Sequence, residues 1–180
     1  MRKQNKTSQV QDRSVLTKRI ATMGMLVAIA FVLSYVEALF PFSIGLPGAK
    51  IGLANLAVLA ALYLLGEKDA FGIALVRLIL VAFTFGNLAA FLYSVGGVIC
   101  SYTGMVILKK SKLFSIIGVS CVGGVLHNIG QLLVAFFILK TAVIWTCFPL
   151  LIVSGVVAGV GIGLIGGALI QRLNMIMRLK

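Results

Sequence analysis

Charge is what this sequence has least of. Only 11% of its 180 residues are charged, and acids are the scarcest, with four Asp and Glu together against sixteen Lys and Arg. A soluble domain carries roughly 25% charged and about 45–50% apolar residues, whereas here 61% are hydrophobic. Too little polar surface is left to coat a water-soluble core, which excludes a soluble enzyme, a secreted disulfide scaffold and a disordered tail. Aspartate occurs twice, at Asp12 and Asp69, in no DDxxD cluster, so the chain lacks the paired carboxylates that hold magnesium against pyrophosphate. No GxxxxGK[ST] loop is present to bind ATP. The three cysteines (Cys100, Cys121, Cys147) lie inside apolar runs without CxxC spacing, and His127 is the single histidine, so neither a disulfide framework nor a zinc site is legible. No Ser-His-Asp or Cys-His arrangement stands out either. The sequence predicts a chain that is not an enzyme, with no cofactor or metal of its own.

What is present is lipid-soluble. Mean hydropathy is +1.13, and six apolar runs follow a basic start: Ile20–Phe40, Ile51–Gly66, Ala70–Phe85, Leu88–Leu108, Phe114–Leu139 and Val143–Gln171. About 20 helical residues cross the roughly 30 Å hydrocarbon core of a bilayer. Four runs reach that length; the second and third are about 16 residues each, and need thinned lipid or help from their flanks. The expectation is an all-α integral membrane protein with six transmembrane helices. Five spans with one re-entrant segment is the alternative. The division along the chain is 1–19 as a basic cytoplasmic tail expected to be disordered, 20–172 as the membrane domain, and 173–180 as a cytoplasmic end. The first run is too long for a signal peptide and has no small-x-small cleavage site after it.

The cations set the orientation. Arg2, Lys3, Lys6, Arg13, Lys18 and Arg19 open the chain, and Lys68, Lys109, Lys110, Lys112, Arg172, Arg178 and Lys180 fall on the same side under a six-span topology. Lys50 and Lys140 fall opposite. The bias puts both termini in the cytoplasm. The net charge of +12 is therefore a topology signal and contact for anionic headgroups, not a nucleic-acid footprint.

Polar residues gather in the outer halves of the runs. Glu37, Lys50, Asn55, Arg77, Asn87, Tyr93, Ser94, His127, Asn128 and Gln131 all lie there or near mid-membrane. Ionisable groups at such depth cost several kcal/mol and face a bundle interior or cavity. Two readings stay open for them: a ligand site, or interhelical hydrogen bonds and headgroup contacts, with Arg77 pairing with Glu37. Ser120, Gly123 or Gly124, His127 and Gln131 recur at helical spacing on one face. Gly155, Gly159, Gly163 and Gly167 stand four residues apart and favour close helix packing.

Pro47-Gly48-Ala49-Lys50-Ile51-Gly52-Leu53-Ala54-Asn55, then Ala61-Leu62-Tyr63-Leu64-Leu65-Gly66, Arg77, Ser94-Val95-Gly96-Gly97 and His127-Asn128-Ile129-Gly130-Gln131 resemble the Gx transporter family. Members are often labelled heptaprenyl diphosphate synthase component I. The resemblance spans residues 20 to 170. By architecture it implies a six-helix, S-component-like bundle of the energy-coupling factor type. Such a protein binds a vitamin-like ligand near the outer face of the bacterial cytoplasmic membrane. It docks on a transmembrane coupling protein with two ATPases, which would consume the ATP. The small-residue stripe of that class is matched on the first helix by Gly24 and Ala28. By label the resemblance implies a non-catalytic accessory subunit for a prenyl diphosphate synthase. A flavin or an isoprenoid-linked compound fits Lys50, Arg77 and His127 beside Phe91 and Tyr93.

Overall fold

A computed structural model describes residues 2–39 and 52–178. Apart from short turns those residues are helical: α1 (Arg2–Leu39), α2 (Asn55–Leu64), α3 (Glu67–Thr84), α4 (Leu88–Ser111), α5 (Ile116–Leu139), and α6 (Phe148–Arg178), with one 3₁₀ stretch, Ala142–Cys147, before α6. α1 runs without a break from the basic segment into the first apolar run. No proline or glycine interrupts residues 2–23, so nothing in the local sequence stops the helix there.

Among the described residues, four segments are long and apolar enough to cross a bilayer: Val15–Leu39, Leu88–Ser111, Ile116–Leu139 and Ala142–Met175. Side chains such as Phe83 and Leu113, 88% and 84% exposed, face outward where water would penalise them and lipid would not. The second and third runs differ from the other four. α2 has ten residues, about 15 Å of helix, which is half the hydrocarbon thickness. α3 has the length but carries Glu67, Lys68, Asp69 and Arg77.

The shortness of α2 goes with its position. Val58, Leu59, Ala60, Ala61 and Leu62 are all buried, so it is apolar on every side and packs against each of the other five helices. α5 is the second organising element, wedged between α4 and α6. There the backbones nearly touch. A β-carbon on Gly155 would sit 2.9 Å from Val125 Cα, one on Gly159 2.5 Å from Cys121 Cα, and one on Gly163 2.7 Å from Ile117 Cα. Gly167, the fourth member of that series, has open space instead.

Ionic contacts tie one end of the bundle. Arg19 holds Asp69 in a bidentate pair (Nε to Oδ2 2.6 Å, Nη2 to Oδ1 2.7 Å). Lys110 pairs with Glu67 at 2.9 Å, and Lys109 donates to the Leu62 carbonyl at 2.6 Å. These contacts surround the α2–α3 turn, where Gly66 takes φ +100°, a conformation glycine adopts at little cost.

Candidate functional site

Away from that ionic end, polar side chains from five helices meet. α1 turns Leu26, Ala30, Ser34 and Glu37 inward at helical spacing, and all four are buried. The Glu37 carboxylate accepts a hydrogen bond from the Gly52 backbone N–H at 2.5 Å. Gly52 stands at φ +91°, in the turn that leads into α2. Arg77, 4% exposed on α3, donates to Ser34 Oγ at 3.3 Å and feels the Glu37 charge. Its buried Nε has no hydrogen-bond partner among the described residues.

The set continues through the start of α2. Asn55 donates to Ser101 Oγ of α4 at 3.4 Å. Gly52 lies so close to α5 that a β-carbon there would be 3.2 Å from His127 Cδ2 and 3.1 Å from Asn55 Nδ2. His127 Nε2 and Gln131 Nε2 are 2.9 Å apart, one turn of α5 from each other. Gly97 of α4 backs the imidazole, where a β-carbon would come within 2.8 Å of Nδ1. Glu37, Arg77, Gly52, Asn55, His127 and Gln131 thus form one continuous buried set. It joins a carboxylate, a guanidinium, two amides and an imidazole in an apolar surround. Such groups orient a ligand by charge and hydrogen bonds. No group of three or more His, Cys, Asp or Glu able to hold a metal occurs among the described residues.

Other residues singled out in the sequence lie elsewhere. Asn128 turns toward α6 and donates to the Leu151 carbonyl at 2.7 Å and to Ser154 Oγ at 3.1 Å. Neighbours in sequence do not share a helix face, which is why it parts from His127. Asn87 is an exposed N-cap, its side chain accepting from the Ala90 N–H at 2.7 Å. Tyr93 packs in a separate apolar cluster with Leu132, Ala135, Ile144 and Leu151. Ser94 and Phe91 line a space of about 10 Å³ between α3 and α4, about one water's worth. Gly24 and Ala28 are on the exposed face of α1, with nothing within 4 Å of a β-carbon at Gly24. Lys50 and the loop from 41 to 50 are outside the described residues.

Gly52 and two hydroxyl partners of the set escaped the sequence reading. Ser34 was discoverable from its place three residues before Glu37, and Ser101 from its place four after Gly97. Gly52 was quoted only within a motif, although a glycine beside a short buried helix signals a close approach.

Two larger cavities lie along α6. A groove of about 380 Å³ runs along α6 beside the turn that precedes α2, lined by Leu53, Ser154, Val157, Ala158, Gly161, Ile162 and Ile165. A second, of about 410 Å³, lies between α5 and the end of α6 and includes Ser115, Ile117, Gly163, Gly167 and Gln171.

The family model for heptaprenyl diphosphate synthase component I matches residues 26–169. The chain belongs to that family. The match takes in the buried polar set from Ser34 to Gln131, and it leaves the basic N-terminal segment outside. No curated protein and no solved structure matches the chain.

Proposed function

We propose that this protein is a substrate-binding membrane subunit of the energy-coupling factor type. It takes a small vitamin-like or anionic ligand, a flavin or an isoprenoid-linked compound, into the polar set around Glu37, Arg77 and His127. The observation that carries this reading is the convergence of those charged and hydrogen-bonding groups from α1, α2, α3 and α5 in one buried place. Structural hydrogen bonding alone does not require a carboxylate, a guanidinium and an imidazole together, because each is expensive to bury. In this reading the chain crosses a bacterial cytoplasmic membrane six times, α2 completing its passage with its flanks, and both termini are cytoplasmic. The chain itself is not catalytic. Transport draws on ATP through a transmembrane coupling protein and two ATPases, with Gly24 and Ala28 on the exposed face of α1 available for docking.

The test is mass spectrometry of small molecules that co-purify with the detergent-solubilised protein. His127→Leu and Gln131→Leu should each deplete the bound compound while leaving the protein folded in membranes. Unchanged retention in both removes the polar set from ligand binding.

The family description favours a second reading, a membrane accessory subunit that recruits a prenyl diphosphate synthase. Pull-down separates the two. Recovery of a coupling protein and ATPases supports transport, and recovery of a prenyl synthase supports the accessory role.

A further inference from the structure

α2 starts in the middle of the bundle. Lys109 donates to the Leu62 carbonyl at the ionic end, and Gly52 stands ten residues before Leu62, about 15 Å at helical rise. That is half of the roughly 30 Å hydrocarbon core, so the first turn of α2 opens at mid-membrane depth. Its N-cap is Ala54, which has no side chain to offer the leading N–H groups. Those of Asn55, Leu56 and Ala57 bond back to the Gly52, Leu53 and Ala54 carbonyls at 2.8, 3.1 and 3.2 Å. The Gly52 N–H stands at the tip, and the acceptor it meets is an anion from another helix, the Glu37 carboxylate. A left-handed φ leading into a turn presents main-chain N–H groups to negative charge.

Arg77 is the independent sign of an anion site. Its side chain is buried, and Nη1 reaches Ser34 Oγ at a long 3.3 Å, one turn of α1 from Glu37. Its Nε has no hydrogen-bond partner among the described residues. A guanidinium matched to a carboxylate offers two parallel N–H bonds, and a buried donor left over is costly, so this fork is shaped for more acceptor oxygen than Ser34 supplies. We infer that Glu37 is a resident stand-in: the Gly52 end of α2 and Arg77 form an oxyanion site, and a carboxylate or phosphate group of the ligand takes the place that Glu37 occupies. The inference rests on the reading that the polar set binds a ligand, and adds which group is read and what competes with it. Glu37 is two residues from the end of α1, so a change of rotamer carries the displaced carboxylate toward the outer interface.

The test is equilibrium dialysis of the full chain in detergent against radiolabelled inorganic phosphate and acetate. Glu37→Gln keeps an acceptor for Gly52 but removes the competing charge, so it should bind either anion roughly tenfold more tightly than the native chain. Glu37→Asp, which draws the competitor back, should show a smaller gain. Adding Arg77→Gln to Glu37→Gln should abolish the gain, and Arg77→Lys in its place should restore part of it. Displacement of the label by phosphatidic acid in the micelles marks a lipid headgroup, and displacement by soluble glycerol phosphate alone marks a free ligand; each supports the site. Equal or weaker binding to both Glu37 variants than to the native chain, or a gain that survives Arg77→Gln, would overturn the inference. Retention of a co-purified compound, and its loss in His127→Leu and Gln131→Leu, is read separately. A native chain that retains a compound while the Glu37 variants gain no anion loses the stand-in and keeps the ligand site.

Discussion

Replacing Gly159 by alanine tests whether α5 and α6 are held by backbone contact. The new β-carbon would be 2.5 Å from Cys121 Cα and 2.8 Å from the Ser120 carbonyl oxygen. Carbon atoms pack at about 3.5–4.0 Å, so the two helices must part by roughly 1 Å, and neither obstacle is a side chain that can swing away. The separation also loosens the contacts at Gly155 and Gly163 in the same seam. Overpacking of this kind costs about 1–3 kcal/mol. Alanine also gains about 0.5–1 kcal/mol over glycine as a helix former, which would blur the result if measured alone. Gly167→Ala supplies the reference, because it brings the same gain with nothing within 4 Å. The difference between the variants isolates the clash. For a chain of this size about 1 kcal/mol moves the melting temperature by about 2–4 °C, so Gly159→Ala should melt roughly 2–12 °C below Gly167→Ala. Heating the detergent-solubilised variants and following the monodisperse peak by size exclusion gives both values. Midpoints within about one degree of each other would refute the close-packed seam.

Three further outcomes follow from the same geometry. Gly52→Ala forces a β-carbon into a φ of +91° and against His127 and Asn55, so it should cost about 1–3 kcal/mol and reduce the co-purified compound, measured by melting and mass spectrometry. Arg77→Met removes a buried cation that interacts with the Glu37 charge and should lower the melting temperature, with part of the loss recovered in Glu37→Gln/Arg77→Met. No recovery in that cycle would show that the two side chains act independently. Asp69, ahead of the apolar part of α3, is held below the usual carboxylate range by its hydrogen bond from Arg19, with the Arg19 charge adding to the effect and burial opposing it. Its contribution is present above the ordinary aspartate pKa and is lost as pH falls through the lowered value, so Asp69→Asn should flatten the acid limb of a melting-temperature profile.

The helices were legible because apolar length is a strong signal. Runs starting at Leu88 and ending at Leu139 coincide with the observed limits of α4 and α5. The second run promised more than α2 delivers, since hydropathy cannot tell a helix surrounded by lipid from one surrounded by protein, and α2 is the latter. Glu37, Asn55, Arg77, His127 and Gln131 were found because burying them is costly wherever they face. Their partners were not, because a hydroxyl such as Ser101 or a backbone N–H such as that of Gly52 leaves no hydropathic trace. Asn87 carried its own signal, an asparagine directly before a helix, which its depth in the sequence pattern obscured. Asn128 needed the position of α6, which no single-helix pattern supplies.

The glycine contacts give the molecule an uneven stiffness. On one side, α4, α5 and α6 interlock at the level of their main chains, where a small displacement meets hard repulsion. On the other, α1, α2 and α3 meet through side chains, Arg19 of α1 is tied to Asp69 of α3, and Lys109 and Lys110 of α4 reach across to α2 and α3 at one end. A bistable packing is easier to build from the second kind of joint than from the first. On the proposed binding reading, opening is expected to be a tilt of the α1–α3 half against the α4–α6 slab about the Lys109 and Lys110 contacts, with Gly52 and His127 facing each other across the line of parting.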